Sequence, residues 1–413
     1  MGVAGFPKNA AGNSWAFLQW ATGLREMGWE IWITESLQAK ELINREGQPC
    51  SLAESHNLAH WKSFLRELAW DEKASLLVES EEQDERKLRE FAQGADLFLN
   101  LSGHFKRLDL VGGAAARVYV DLDPAFTQIW AKAYGSPMNF SGHNAFWSVG
   151  LSMGRGAEVP DTGHDWKPVL PPVCRRYWSA DAAGKPAGAA ATLAGGRWTT
   201  ITHWYGYAAV EWNGKSHGNK SEEFQKLRDW PARTGFTPRV VTDLGPGEER
   251  ESFEKEGWEF LPPDRICSDW KKYRSFLAAS RGELSPAKSG YITAKTGWFS
   301  DRSALYLALG RPVLLQETGW SRWLPEGQGL VSFRTPAEAA EKVRKIEMDH
   351  ASHAKAAEQI AEEHLAWLAW SISIFRTFSA ASAGVRKETS PRPSGSHRDH
   401  PVSCSNTGRP SAR

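Results

Sequence analysis

The chain has 413 residues, 50 of them basic and 49 acidic, for a net charge of +1; this balance excludes a general nucleic-acid binder, which carries a basic excess or stripe. With 41% hydrophobic and 24% charged residues the composition is that of a globular protein, and the length suits two lobes better than one core. The four cysteines, Cys50, Cys174, Cys267 and Cys404, lie far apart with no C-x-x-C pair, which argues against a disulfide framework or a zinc site and fits a reducing cytoplasm.

No charged n-region followed by an apolar run opens the sequence, so no signal peptide is expected. The apolar run at residues 365–375 is too short to span a bilayer. A cytoplasmic location is therefore expected, with peripheral membrane contact left open. The 21 tryptophans offer indole faces to sugar rings, although core packing is the commoner use of any single one.

In chain order, residues 2–12 read as a glycine-rich loop around Pro7, and Asn13 or Ser14 is placed to cap the helix that follows. Phe17, Trp20, Ala21 and Leu24 form an apolar stripe of helical period. Gly28 suits a left-handed cap, and residues 29–34 read as a strand. A doubly wound lobe opens with an apolar strand feeding such a loop, and none is seen before this one. Either the start is truncated or misplaced, or the lobe has one strand fewer. Residues 84–93 read as a charged helix, 96–101 and 116–120 as buried strands. Residues 1–178 read as a first lobe, incomplete at its start, to which the family resemblance given below assigns the acceptor side. The alanine and glycine of 179–196 have too little bulk for a core and read as a linker.

The second lobe, 197–365, alternates strand-like stretches (199–201, 239–242 and near Tyr291, Val313 and Val331) with helical ones (221–227, 248–256, 270–279, 336–348 and 350–365). This alternation implies a parallel sheet covered on both faces. Residues 366–384 read as a terminal helix crossing back to the first lobe. Residues 385–413, nearly devoid of large apolar side chains, read as a disordered tail.

Residues 283–320 are the most informative. Residues 291–294 read as a strand end, and Thr296, Gly297, Trp298 and Phe299 as a turn. Ser300 or Asp301 then caps a helix running to Leu309, ended by Gly310 and Pro312. A glycine turn opening into a helix N-terminus leaves amides and a dipole that favour phosphate, and Arg302 adds a charge-assisted donor. The next strand ends at Gln316, Glu317, Thr318 and Gly319, on the side where open α/β sheets hold ligands; Glu317 could accept bonds from sugar hydroxyls. Lys288, before the turn, could pair with a diphosphate.

Candidate bases at first-lobe strand ends are His104, after LNLSG, Asp121 and Asp123. Asp121 and Asp123 form a D-x-D, a spacing that can hold a divalent metal, but before Pro124 it is also ordinary turn chemistry, and no metal is expected. Gly12, Asn13 and His203 are candidates for the acceptor or the cleft loop. No P-loop, H-E-x-x-H, G-x-S-x-G or G-x-G-x-x-G pattern is found.

The segment TGWFSDRSALYLALGRPV resembles the donor-binding element of GT-B glycosyltransferases and is nearest to bacterial glycosyltransferase-like proteins that carry it. The opening GFPKNAAGNSWAFLQWATGLREMGWEIWITE and the late RTPAEAAEKVRKI and HAKAAEQIAEEHL share the resemblance. It runs over about residues 2–375 and is weak at 150–195. It implies an α/β fold of two Rossmann-like lobes with an inter-lobe cleft. It also implies metal-independent transfer from a nucleotide-diphosphate sugar to an unidentified acceptor, with no permanently bound cofactor. The donor site would comprise Lys288, Thr296 to Arg302, and Glu317 to Gly319. There is no E-x(7)-E signature and no plant-type donor box, which leaves nucleotide, sugar and stereochemistry open. An epimerase or phosphorylase on the same fold, or a degenerate non-catalytic nucleotide-sugar binder, are the alternatives.

Overall fold

The structure is a computed structural model and describes residues 2–8, 11–70, 73–78 and 82–366. The expected terminal helix, beyond its first residue, and the expected tail lie outside the described residues.

Helix α1 (Ala11–Glu26) buries Trp15, Leu18, Trp20 and Leu24. It starts three or four residues earlier than a cap at Asn13 or Ser14 would place it. Asn13 sits in its first turn and donates instead to the Gly2 carbonyl at 3.2 Å. Gly28 takes the left-handed conformation (φ +89°). Strand β1 (Ile33–Leu37) pairs in parallel with β2 (Ala74–Val78), reached through α2 (His56–Glu67). It begins later than expected because Trp29 to Trp32 have no neighbouring strand among the described residues. Helix α3 (Glu82–Gln93) leads to a parallel sheet of β3 (Leu97–Leu101), β4 (Ala116–Asp121), β5 (Ala145–Ser148) and β6 (Trp166–Pro168), with α4 (Leu108–Val111) and α5 (Phe126–Ala133) between its strands.

The expected linker is not featureless. It forms α6 (Ala180–Ala183) and α7 (Gly188–Ala194). Ala190 and Ala194 are buried because methyl-sized side chains let α7 lie close on another helix of the second unit, at Trp270–Ala279. Small residues here permit close packing, and bulk is not needed.

The second unit holds β7 (Trp198–Thr202), the hairpin β8 (Val210–Trp212) and β9 (Lys215–His217), and then α8 (Lys220–Lys226), α9 (Trp230–Thr234), β10 (Arg239–Thr242), α10 (Glu248–Lys255) and β11 (Glu259–Leu261). It continues with α11 (Asp264–Cys267), α12 (Trp270–Ala279), β12 (Gly282–Ser285), α13 (Ser289–Thr293), α14 (Asp301–Ala308), β13 (Val313–Gln316), β14 (Leu330–Phe333), α15 (Pro336–Met348) and α16 (His350–Ile360), which ends in a π turn at Ala361–Leu365. Six strands form one parallel sheet in the order β11-β10-β7-β12-β13-β14, so the alternation read from sequence is realised. One correction concerns Tyr291. Its segment is the short helix α13, while the sheet strand is β12, whose four residues are all buried.

The two units share an apolar core. Trp15 of α1 packs edge-on against Trp178 (5.3 Å between centroids) and at a tilt against Trp270 of α12 (5.2 Å). The protein is thus α/β, with two Rossmann-like units, as the resemblance implies. No helix among the described residues is long and apolar enough to cross a membrane.

Candidate active site

The carboxyl ends of β4 and β5 in the first unit meet the loops after β7 and β12 in the second. Asp123 joins them. Its carboxylate accepts from Lys288 Nζ (2.6 Å), from Tyr207 Oη (2.8 Å) and from Tyr291 Oη. Burial raises the pKa of this carboxyl, but Lys288 and the hydroxyl donors outweigh burial and hold it below the usual value of 3.8. A group depressed in this way stabilises the fold above its unfolded pKa, and the contribution is lost as pH falls through the lower folded pKa. Asp123→Asn should therefore cost about 2 kcal/mol at neutral pH, the scale of hydrogen bonds to a charged group. It should also flatten the acid limb of stability below about pH 4. Melting curves of both proteins from pH 7 to pH 3 check this; parallel acid limbs would count against it. With its lone pairs committed to three donors, Asp123 is a latch between the units. Asp121 points elsewhere. It is fully buried and accepts from Thr127 Oγ1 (2.7 Å), Ser148 Oγ (2.9 Å) and Gln128 Nε2 (3.0 Å).

At the bend of Gly297 the two units meet backbone to backbone, through a bridge between Gly150 and Trp298. Gly297 has φ +69°, and its amide donates to the Thr318 carbonyl (2.7 Å). The Leu151 amide donates to the Gly297 carbonyl (3.1 Å) and the Ser152 amide to that of Thr296 (2.9 Å). A Cβ at Gly297 would lie 2.6 Å from the Ser152 nitrogen, so only glycine fits. Trp298 donates its amide to Thr296 Oγ1 (3.2 Å). The bend is thus packed against residues 150–152 of the first unit, and the amides of Gly297 and Trp298 are used within the protein. The anion-binding potential shifts one turn on, to the start of α14. There Ser300 occupies the cap position without making a side-chain cap, and Phe299 is fully buried. The first-turn amides of Asp301, Arg302 and Ser303 have no intrahelical carbonyl to donate to, as in any helix, and the Asp301 carboxylate lies against the first two.

Arg302 is largely enclosed. Its Nε donates to Glu283 Oε1 (2.5 Å), its Nη2 to Ser285 Oγ (2.8 Å) and its Nη1 to the Ile201 carbonyl. Glu283, on β12, has no exposed side-chain surface and also accepts from Ser303 Oγ (2.6 Å). Arg302 therefore ties the start of α14 to the ends of β7 and β12, and three of its five donors are already engaged.

A residue that sequence reasoning passed over stands beside it. Lys220, the first residue of α8, is only 8% exposed. Its ammonium lies 5.4 Å from the centroid of the Trp298 ring, and no carboxylate pairs with it among the described residues. Burial drives its pKa well below the ordinary value, and the nearby charges of Arg302 and Lys288 push the same way, with Glu283 and Asp301 opposing. The available signal was Asn219 followed by Glu222, a capping-box spacing that forces Lys220 to the helix start. Nothing local says that this lysine is buried.

Other expected residues scatter. Glu317 Oε1 accepts from the Gly319 amide (2.5 Å), while its Oε2 is ion-paired with Arg334 Nη2 at 3.5 Å. With Lys295, Thr318, Gly319, Arg322 and Arg334 it lines a separate pocket of about 320 Å³, whose wall includes neither Lys220 nor Arg302. His203 is exposed and bonds Asp243 Oδ2 through Nδ1 (2.9 Å). His104 is half-buried after β3; burial, helped by Lys106 and opposed by Asp123, pushes its pKa down to about 3, so its imidazole is neutral at pH 7. Gly12 lies in α1, where a Cβ would sit 3.0 Å from Tyr273 Oη. Among the described residues no group of three His, Cys, Asp or Glu side chains is placed to hold a metal ion.

No family model matches the chain, and no curated protein is similar to it at a significant level. Solved structures similar to it include HepE from Anabaena in complex with UDP and glucose, at 13% identity over 78% of this chain and 89% of that one, TM-score 0.45. A glycosyltransferase from Rickettsia africae ESF-5 is 9% identical over 78% of this chain and 88% of that one, TM-score 0.46. Sucrose-phosphate synthase from Thermosynechococcus elongatus is 9% identical over 86% of this chain and all of that one (100%), TM-score 0.46.

Proposed function

We propose that the protein is a glycosyltransferase that moves a sugar from a nucleotide-diphosphate sugar to an acceptor without a metal ion. The observation that carries this reading is Lys220: a buried ammonium with no carboxylate ion pair among the described residues, beside the start of α14. A cation kept out of water without a paired counter-ion is costly, and an anionic ligand at that place would supply one. The first-turn amides of α14 add donors on the same side. Together they stabilise the negative charge that develops on a departing diphosphate, the task a metal performs elsewhere. The choice of a sugar nucleotide over another phosphate follows the resemblance of the segment TGWFSDRSALYLALGRPV. Lys288 is engaged by Asp123 and serves as the hinge pin between the units in this reading, and Arg302 as the buttress of α14. Glu317, in its own pocket, would reach a ligand only through movement of the loop at 317–319.

His104 is the remaining candidate base. A neutral imidazole can take the acceptor proton, and a bound diphosphate would raise its low pKa by adding negative charge nearby. His104→Ala should lower kcat by about 10²- to 10⁴-fold while nucleotide affinity changes little. Equal losses in both would make the residue structural.

A melting-temperature screen with UDP, GDP, dTDP and ADP tests the reading first, since a ligand bound only to the folded state raises the melting point. A rise with one diphosphate, and none with the matching nucleoside, is expected; no rise with any of the four would end the proposal. Incubation with a sugar nucleotide and no acceptor then separates transfer from epimerisation, because only an epimerase converts the donor alone.

A further inference from the structure

A second pocket lies at the carboxyl ends of two neighbouring strands. Gln316 is the last residue of β13, and Arg334 directly follows Phe333, the last of β14. The turn 317–322 makes one wall, and Ile292 of α13 with Lys295 after it makes another. Open α/β sheets hold ligands at this end, and the volume of about 320 Å³ suits a small molecule. The pocket adjoins the Lys220 centre without being part of it. Thr318 Oγ1 donates to the Trp298 carbonyl (2.7 Å), and the Gly297 amide donates to the Thr318 carbonyl (2.7 Å). The wall of this pocket is thus bonded to the bend whose indole Lys220 approaches.

The charges around it do not balance. Lys295, Arg322 and Arg334 line the pocket with a single acid, Glu317. Glu317 is occupied on both oxygens, by the Gly319 amide and by Arg334 at 3.5 Å. It fixes the turn and leans the Arg334 guanidinium over the pocket. Lys295 pairs with Glu158 of the first unit (2.5 Å), but Glu158 is shared with Lys215 (2.7 Å). The two lysines hold the Glu158 carboxyl down to about 2, as a locally positive field does. Arg322 is exposed and makes no ion pair or hydrogen bond among the described residues. Four cations therefore face two carboxylates: Lys215, Lys295, Arg322 and Arg334 against Glu158 and Glu317. The amide of Gln316 in the wall is already committed. Its Nε2 donates to Glu223 Oε2 (2.7 Å), and its Oε1 accepts from the Ala287 amide (3.1 Å). What the pocket has left to offer a ligand is positive charge.

We propose that this pocket binds a small phosphomonoester, or phosphate itself, through Arg322, Arg334 and Lys295, at a site separate from the diphosphate centre. The uncompensated cations match the dianion that such a group carries at neutral pH. The planar fork of arginine binds phosphate oxygens in pairs. Arg334 is already held by Glu317, so little of its rotamer freedom is left to lose on binding. Arg322 has no competing partner to give up, and Lys295 adds a point charge from the opposite wall. Lys295 is itself held in the left-handed region (φ +49°), a conformation that persists where the surroundings over-determine it. A nucleic-acid backbone is the poorer occupant, since the chain as a whole has a net charge of only +1. None of the three cations belongs to the diphosphate centre, so the site is independent of the transferase reading.

Calorimetry at low ionic strength, where screening is least, compares glycerol 3-phosphate, glucose 6-phosphate, inorganic phosphate and glucose. Each is titrated into the full chain and into two variants, Arg322→Glu and Lys220→Met. Arg322 is exposed, so its replacement should leave the melting temperature unchanged. At least one of the phosphates should bind, and glucose should not. Arg322→Glu should weaken phosphate binding by at least about tenfold, while Lys220→Met changes it by less than about twofold. An organic phosphate bound more tightly than inorganic phosphate identifies a phosphomonoester as the occupant; equal affinities identify phosphate itself. Failure of every phosphate to bind at about 10 mM would overturn the proposal, as would glucose binding as well as glucose 6-phosphate. Undiminished binding by Arg322→Glu would overturn it too. So would a loss in Lys220→Met that Arg322→Glu does not share, by placing the anion at the diphosphate centre.

Discussion

Lys220→Met should weaken nucleotide-diphosphate binding by about 10- to 100-fold while leaving the unliganded protein as stable as before, or more so. The first half follows from the loss of a charge-assisted bond of roughly 1.5–3 kcal/mol, at about 1.4 kcal/mol for each factor of ten. The second half follows from the state of the lysine. Burial lowers its pKa far below the ordinary value of 10.5, so the unfolded chain binds more protons than the folded one at pH values between the two. Stability then rises with pH across that window, and the charged lysine is a burden below it. Methionine fills similar space without a charge to desolvate. Calorimetry with the nucleotide that scores in the melting screen, and melting curves of both proteins from pH 6 to pH 10, check both halves. The wild type should gain stability with rising pH relative to the variant. A variant that binds as tightly as the wild type would remove Lys220 from the site. A variant that melts much lower would show that the lysine has a partner in the fold.

Arg302→Ala should be the most destabilising single change in the second unit, at about 3–5 kcal/mol. It strands Glu283, which has no exposed side-chain surface, as a buried carboxylate without its counter-ion. The Ile201 carbonyl and Ser285 hydroxyl lose their donors as well. The melting temperature should fall by on the order of 10 °C. Replacing both partners, as in Arg302→Met with Glu283→Leu, should recover much of the loss, because no charge is then left unpaired. A single variant that melts like the wild type would dissolve the ion pair as described. The pair also bears on function. Since Arg302 holds the first turn of α14 against the ends of β7 and β12, Arg302→Ala should weaken nucleotide binding through misplacement of the amides, whereas Lys220→Met acts on charge alone.

Much of the second unit could be read along the chain. Helices α12 and α15 lie where periodicity put them, at Trp270–Ala279 and Pro336–Met348, with Asp269 and Thr335 capping them through side-chain oxygens. Such signals are local: a cap, a stripe and a stop lie within a few residues of one another. Tyr291 was misread for a related reason. A short run with tyrosine and isoleucine looks like a strand in isolation, but the sheet position belongs to Gly282–Ser285, and the hydroxyl of Tyr291 is drawn to Asp123, 168 residues away. Arg302 shows the same limit in its chemistry. Its place at a helix start suggested a phosphate ligand, while its partner Glu283 sits on a neighbouring strand and takes up its charge.

The sequence by itself determined the alternating pattern of strands and helices, the glycine-punctuated entry into α14 and the apolar stripe of α1, because each depends on residues that are neighbours along the chain. The tertiary structure alone decided which charges are spent and which are free. Asp123 is latched by Lys288, Arg302 is closed on Glu283, Gly297 is packed against Ser152, and Lys220 is left buried without a carboxylate partner among the described residues. Burial and ion pairing are set by groups brought together from far along the chain, and no local pattern records which of them will meet.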